Sequence, residues 1–198
     1  MVRYAITDGN LSFANGNSAA EALARRCAEL ARDGVEYLLV REKQLSAEEL
    51  ATVCREIMGA VQASGAGAKL LVAGRVDVAA AVGADGVNLS GAAGELKSSQ
   101  VRQLMPGAFV SVSCHSVSDV ERARETGASA VLFGPVFGKS IGGKGVVAAV
   151  GLEALREACG AAGETPVFAL GGVAAGNAAA CLAAGAAGVA GIRMFFSR

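Results

Sequence analysis

The feature that most constrains this chain is a joint that recurs four times, in which a helical pattern ends at a glycine and a short apolar run follows. Asp33-Gly34-Val35 leads into Tyr37-Leu38-Leu39-Val40, and Gly83-Ala84-Asp85-Gly86-Val87 leads into Asn88-Leu89. Gly127-Ala128-Ser129-Ala130-Val131 leads into Leu132-Phe133, and Gly185-Ala186-Ala187-Gly188-Val189 leads into Ala190-Gly191-Ile192. Glycine adopts the left-handed conformation that closes a helix without a Cβ clash. Repetition of the joint indicates a chain assembled from one supersecondary unit, a βα module.

Between the joints the pattern predicts eight strands, over 3–7, 35–41, 69–73, 86–89, 109–113, 130–133, 166–169 and 188–192. Helices are predicted over 18–33, 46–64, 76–82, 98–105, 117–126, 151–161 and 177–184. Most strands are continuous apolar runs, as parallel strands covered by helices require. Ser18 with Glu21, and Ser46 with Glu49, have the spacing of a capping box. Strict alternation predicts one α/β domain over 1–198, a (β/α)8 TIM barrel small against the roughly 250 residues usual for that fold. An open doubly wound sheet would carry GxGxxG after its first strand, and Thr7-Asp8-Gly9 is no such fingerprint. After Ile192 only Arg193-Met194-Phe195-Phe196-Ser197-Arg198 remains, so the eighth helix is expected to be missing or truncated. Phe195 and Phe196 are then expected to fold back over the bare flank, or a second subunit to cover it in a homodimer.

Charge excludes some function classes. Eighteen Lys+Arg balance eighteen Asp+Glu, which removes the basic excess of a nucleic-acid binder. Apolar residues make up 53% of the chain and charged residues 18%, enough for a sizeable core and too apolar for disorder. Five Cys at 27, 54, 114, 159 and 181 contain no CxxC, which argues against a zinc site or disulfide framework and fits reduced thiols in the cytoplasm. The opening residues show no signal-peptide pattern. The uncharged stretch between Glu164 and Arg193 is broken by seven glycine or asparagine positions and is rich in Ala, so no membrane span is expected.

In a (β/α)8 barrel the chemistry sits where the strands end, so the polar residues after each strand are the candidates. Arg41-Glu42-Lys43 offers two cations suited to a phosphate or diphosphate, or else a solvated loop with an internal ion pair. Arg75 is either an anion ligand or the partner of Asp77. His115, the single His, follows Ser113 at a strand end and is the candidate proton-transfer group. Cys114, of opposite strand parity, is expected to be inert packing. The glycine-rich stretch 134–145, carrying Lys139 and Lys144, is expected to form a lid loop over an anionic substrate. Gly171-Gly172 and Gly191-Ile192 lie where backbone amides of such barrels bind phosphate.

Taken in order, YAITD, VREK, AGRVDVA, GADGVNL, VSCHS, FGPVF, FALGGV and GAAGVAGI resemble the superfamily of thiamine-phosphate synthases and TenI-like thiazole tautomerases. The resemblance spans nearly the whole chain and implies the same barrel. The synthase branch joins a pyrimidine diphosphate to a thiazole phosphate with Mg²⁺, and its pattern places Asp where Gly74 and Ala93 stand here. It also has Gln at Leu39 and a loop Lys at Gly142, two positions from Lys144. The tautomerase branch matches Gly74-Arg75-Val76-Asp77 and has a His at His115. The resemblance therefore implies first a metal-free, cofactor-free tautomerase in which His115 moves the proton. Arg41, Lys43, Arg75, Ser113, Lys144, Gly171, Gly172, Gly191 and Ile192 would bind a small phosphorylated thiazole. The alternatives are the synthase, with Mg²⁺, and a non-catalytic relative that binds thiazole or thiamine phosphates.

Overall fold

The computed structural model describes residues 1–12, 18–141 and 144–196, with the backbone alone over 139–141 and 144–147. Eight parallel strands close into a ring: β1 (Val2–Ile6), β2 (Tyr37–Val40), β3 (Lys69–Ala73), β4 (Gly86–Leu89), β5 (Phe109–Cys114), β6 (Ala130–Phe133), β9 (Val167–Ala169) and β10 (Gly188–Gly191). The ring order is β1-β10-β9-β6-β5-β4-β3-β2, and closure comes from Val2 pairing with Gly188 and Ala5 with Gly191. The expected barrel is present. Between the strands run α1 (Ser18–Arg32), α2 (Ala47–Ala63), α3 (Val76–Val82), α4 (Ser98–Leu104), α5 (Val117–Glu125), α6 (Gly151–Ala162) and α7 (Ala178–Ala183). No described helix is long and apolar enough to cross a membrane.

Each strand feeds two cores by alternation. Leu38 and Val40 face the helices, whereas Leu39 faces inward, and Leu70, Val72 and Leu71 repeat that division. Burial on both sides is why the strands read as unbroken apolar runs. Inside the barrel, Tyr37 packs on Phe109 with ring centroids 4.6 Å apart, Tyr4 on Tyr37 at 5.4 Å, and Tyr4 on Phe168 at 5.8 Å. At this level two glycines let neighbouring strand backbones come close. Gly86 pairs with Phe109 and Gly188 with Phe168. An added Cβ would meet the Phe109 carbonyl oxygen at 1.8 Å or the Val2 carbonyl oxygen at 2.1 Å.

All four joint glycines, Gly34, Gly83, Gly127 and Gly185, have positive φ. The capping box at Ser46 and Glu49 forms, with Ser46 N donating to the Glu49 carboxylate at 2.8 Å. Ser18 instead is already the first helical residue, and the position before it lies outside the described residues. The stretch read as a lid loop is partly a β-hairpin: β7 (Lys139–Ile141) runs antiparallel to β8 (Lys144–Val147). Two short runs with β-branched residues flanking Gly142-Gly143 are a hairpin signal; those two glycines lie outside the described residues.

The eighth helix is truncated to α8 (Arg193–Phe196), one turn long. Phe195 folds back and is buried, and Phe196 packs against the outer core. The Arg26 guanidinium donates to the Phe195 carbonyl oxygen at 3.0 and 3.2 Å, and Arg3 lies 5.9 Å from the ring centroid. Phe195 thus covers part of the flank from within the chain. Phe195→Ala should cost about 3 kcal/mol in urea unfolding; a loss below roughly 0.5 kcal/mol, as for a surface change, would show that this turn does not close the flank.

Candidate functional site at the C-terminal rim of the barrel

By strand parity the interior residues nearest the rim include Asn88 on β4 and Ser111 and Ser113 on β5. His115 follows β5, and its Nδ1 lies 2.6 Å from the carbonyl oxygen of Gly134, just after β6. A carbonyl only accepts, so Nδ1 carries the hydrogen in this contact, and the neutral imidazole then has its lone pair at Nε2. The His115 backbone N–H donates to Asp119 Oδ2 at 3.0 Å, and Ser116 N donates to the same oxygen at 3.0 Å. This carboxylate closes a capping box with Ser116 at the start of α5, so one Asp fixes both the helix end and the segment carrying the imidazole. Burial alone would raise the Asp119 carboxyl. Hydrogen bonds from the His115 backbone and Ser116, and the Arg122 guanidinium, more than offset this and hold it below the ordinary carboxylate range.

Gly171 and Gly172 follow β9 with φ of 91° and 68°. A Cβ on Gly171 would stand 2.5 Å from Pro135 Cα, and one on Gly172 would stand 2.8 Å from the Gly138 carbonyl oxygen. Their bareness therefore admits the segment after β6, which is held by Val136 N to Leu170 O at 2.8 Å and Phe137 N to Gly171 O at 2.9 Å. The Gly171 and Gly172 amides donate to no group among the described residues. Gly191 ends β10, and Ile192 joins the partly buried interior residues.

The two cations after β2 are separated by a buried carboxylate. Glu42 is buried, and its carboxylate accepts from Gly9 N at 3.2 Å, Leu11 N at 3.0 Å and Gln44 Nε2 at 2.9 Å. It braces the β1–α1 loop and forms no internal ion pair with Arg41 or Lys43. Arg41 is half-buried beside Gly9, and Lys43 is exposed. Arg75 pairs with Asp77: its Nε and Nη2 donate to the Asp77 carboxylate at 2.9 and 2.7 Å. Those hydrogen bonds hold the Asp77 carboxyl down at about 2. The side chains of Lys139 and Lys144 lie outside the described residues. Cys114 is buried, as expected of packing, and burial pushes its thiol up to about 12.

Among the described residues no group of three His, Cys, Asp or Glu could hold a metal ion. One carboxylate nevertheless stands beside the gap at Gly74. Glu95 Oε1 lies 3.9 Å from the place a Cβ on Gly74 would take. Its Oε2 accepts from Ser90 Oγ at 2.8 Å and Gly91 N at 2.9 Å. A cavity of about 440 Å³ borders the rim at Glu95 and Ser113 but opens outward, between the β4–α4 loop and α5.

Residues 3–195 match the family described as thiamine monophosphate synthase, TMP-TENI. The chain belongs to that family. Its members act in thiamine biosynthesis, which places this chain among enzymes of that route. The chain is 36% identical over 194 residues to a thiamine-phosphate synthase of Methanoculleus marisnigri, covering 94% of this chain and 83% of the relative. It is 32% identical over 192 residues to a putative thiamine-phosphate synthase 2 of Aquifex aeolicus, covering 97% and 96%. A solved structure of thiamine phosphate pyrophosphorylase from Pyrococcus furiosus superposes with a TM-score of 0.79 at 26% identity, covering 99% of this chain and 88% of that one.

Two outcomes follow from this geometry. Gly171→Ala should destabilise the fold by at least about 2 kcal/mol in urea unfolding, through positive-φ strain and the clash with Pro135; wild-type stability would show that the β6 segment is not wedged against it. Because the Asp119 carboxyl titrates lower folded than unfolded, its contribution is complete above the unfolded value of about 3.9. That contribution is lost as pH falls through the folded value. The stability gap between wild type and Asp119→Asn should therefore shrink on acidification below about pH 4; a gap that widens there would contradict the assignment.

Proposed function

We propose that this chain is a thiamine-phosphate synthase, joining a pyrimidine diphosphate to a thiazole phosphate with loss of the diphosphate. The observation that carries this reading is the Glu95 carboxylate beside Gly74, an oxygen donor arriving from another position where the family pattern has an Asp. The printed names of the relatives favour the same reading. Mg²⁺ commonly takes one or two protein carboxylates and completes its shell with water and substrate phosphate oxygens, so a single Glu is a compatible donor set. Glu95 would hold the ion, which when bound neutralises charge on a departing diphosphate.

The remaining work falls to the rim. Arg41 and Lys43 supply positive charge for the diphosphate, with Ser113 as a hydroxyl donor. The free amides of Gly171 and Gly172, with the turn at Gly191 and Ile192, suit the phosphate of the thiazole. His115 offers an Nε2 lone pair on an imidazole whose tautomer is fixed through Gly134.

That same imidazole favours a second reading, the tautomerase, which needs one base, a phosphate anchor and no metal. The experiment assays the purified protein for coupling with and without Mg²⁺, and for isomerisation of a carboxythiazole phosphate in chelator. The synthase reading expects Mg²⁺-dependent coupling that falls on the order of 100-fold in Glu95→Gln. Metal-free isomerisation that survives Glu95→Gln and disappears in His115→Ala would replace it with the tautomerase. Binding of thiazole phosphate with neither turnover would leave a non-catalytic binding protein.

A further inference from the structure

A chain of four hydrogen-bonding side chains runs inside the barrel from its closed middle to the rim. Tyr4 Oη lies 2.9 Å from Ser111 Oγ, Ser111 Oγ lies 2.9 Å from Asn88 Oδ1, and Asn88 Nδ2 lies 3.1 Å from Ser113 Oγ. Three strands contribute: Tyr4 comes from β1, Asn88 from β4, and both serines from β5, where Ser111 is the register partner of Asn88. Tyr4 and Ser111 are fully buried, Asn88 nearly so, and Ser113 is half-buried at the upper end.

The chemistry of these groups gives the chain a direction. Burial raises the Tyr4 phenol well above its ordinary value, so it stays protonated and must donate. Its one partner among the described residues is Ser111, which therefore accepts from it. Ser111 then spends its own hydrogen on the Asn88 carbonyl; the other acceptor in range, the Val87 carbonyl oxygen, is more distant at 3.5 Å. With its carbonyl taken, Asn88 presents its NH₂ to Ser113, and an NH₂ only donates. Ser113 accepts through its oxygen, and its hydrogen has no acceptor among the described residues. That hydrogen is left for a ligand.

We propose that Asn88, oriented through Ser111 by Tyr4, is a positioning residue: its NH₂ occupies the oxygen of Ser113 and so turns the Ser113 hydrogen outward to the anion at the rim. The proposal rests on the reading above for Ser113 as a hydroxyl donor to a phosphate or diphosphate, and deepens it by naming the residues that set that hydroxyl.

The test is calorimetric titration of the full chain with inorganic pyrophosphate and, separately, with inorganic phosphate. Ser113→Ala should weaken binding about tenfold, the scale of one hydrogen bond to a charged group, and Ser113→Thr, which keeps the hydroxyl, should restore it. Asn88→Ala should weaken binding in the Ser113 background and have no further effect in Ser113→Ala, because it acts only through that hydroxyl. Tyr4→Phe, a milder change in the core, should show the same dependence on Ser113. Equal effects of Asn88→Ala in both backgrounds, unchanged affinity in Ser113→Ala, or no binding of either anion by wild type would each overturn the proposal. A loss confined to pyrophosphate assigns Ser113 to the diphosphate, and a loss confined to phosphate assigns it to the monoester. Coupling activity is a separate readout: if anions bind with these dependences and no coupling occurs, the synthase reading fails and this one stands.

Discussion

The molecule depends on how the inside of its ring is filled. Tyr4, Tyr37, Phe109 and Phe168 occupy one small cylinder, which the strands enclose by drawing close to one another. Gly86 and Gly188, register partners of Phe109 and Phe168, permit that approach, since a Cβ there would run into backbone oxygen. Interiors packed to crystal-like density tolerate little mismatch, so large residues on some strands and absent side chains on others are one constraint. Closure follows from it, because Gly188 is also where β10 meets β1.

Above this plug the interior changes character. Aromatic carbon gives way to Ser111, Asn88 and Ser113, and then to an imidazole held by a backbone carbonyl. The same bareness that fills the ring below shapes the rim: Gly171 and Gly172 let the segment after β6 lie against β9, and that segment presents the carbonyl of Gly134 to His115. Family membership and rim geometry therefore bear on different questions. The family gives thiamine biosynthesis, and Glu95 beside Gly74 bears on which reaction this chain runs within it.

Much of the fold was legible because it rests on short-range rules. The joint glycines had to be left-handed, and apolar runs of four to six residues between helices had to be parallel strands buried on both faces. The strands at 139–141 and 144–147 are hard to read from the sequence because the glycines around them outweigh the β-branched Ile141, Val146 and Val147. At the site, His115 and the Gly171-Gly172 pair could be found from position alone. Asn88 and Ser111 left a trace too, as polar residues at inward parity in otherwise apolar strands. Glu42 and Glu95 left none, since loop carboxylates look alike until their partners are known.

The sequence by itself determined the alternation, the places where helices stop, the truncated final turn and the strand ends at which chemistry would gather. These are properties of residues near one another in the chain, set by backbone sterics and by period-two burial. Only the tertiary structure decided that Arg75 turns to Asp77, that Glu42 serves a loop more than thirty residues earlier, and that Glu95 stands beside Gly74. Each is a contact between groups on different loops, or a choice between ligand and neighbour. Such choices are made by the distances that closure of the ring imposes.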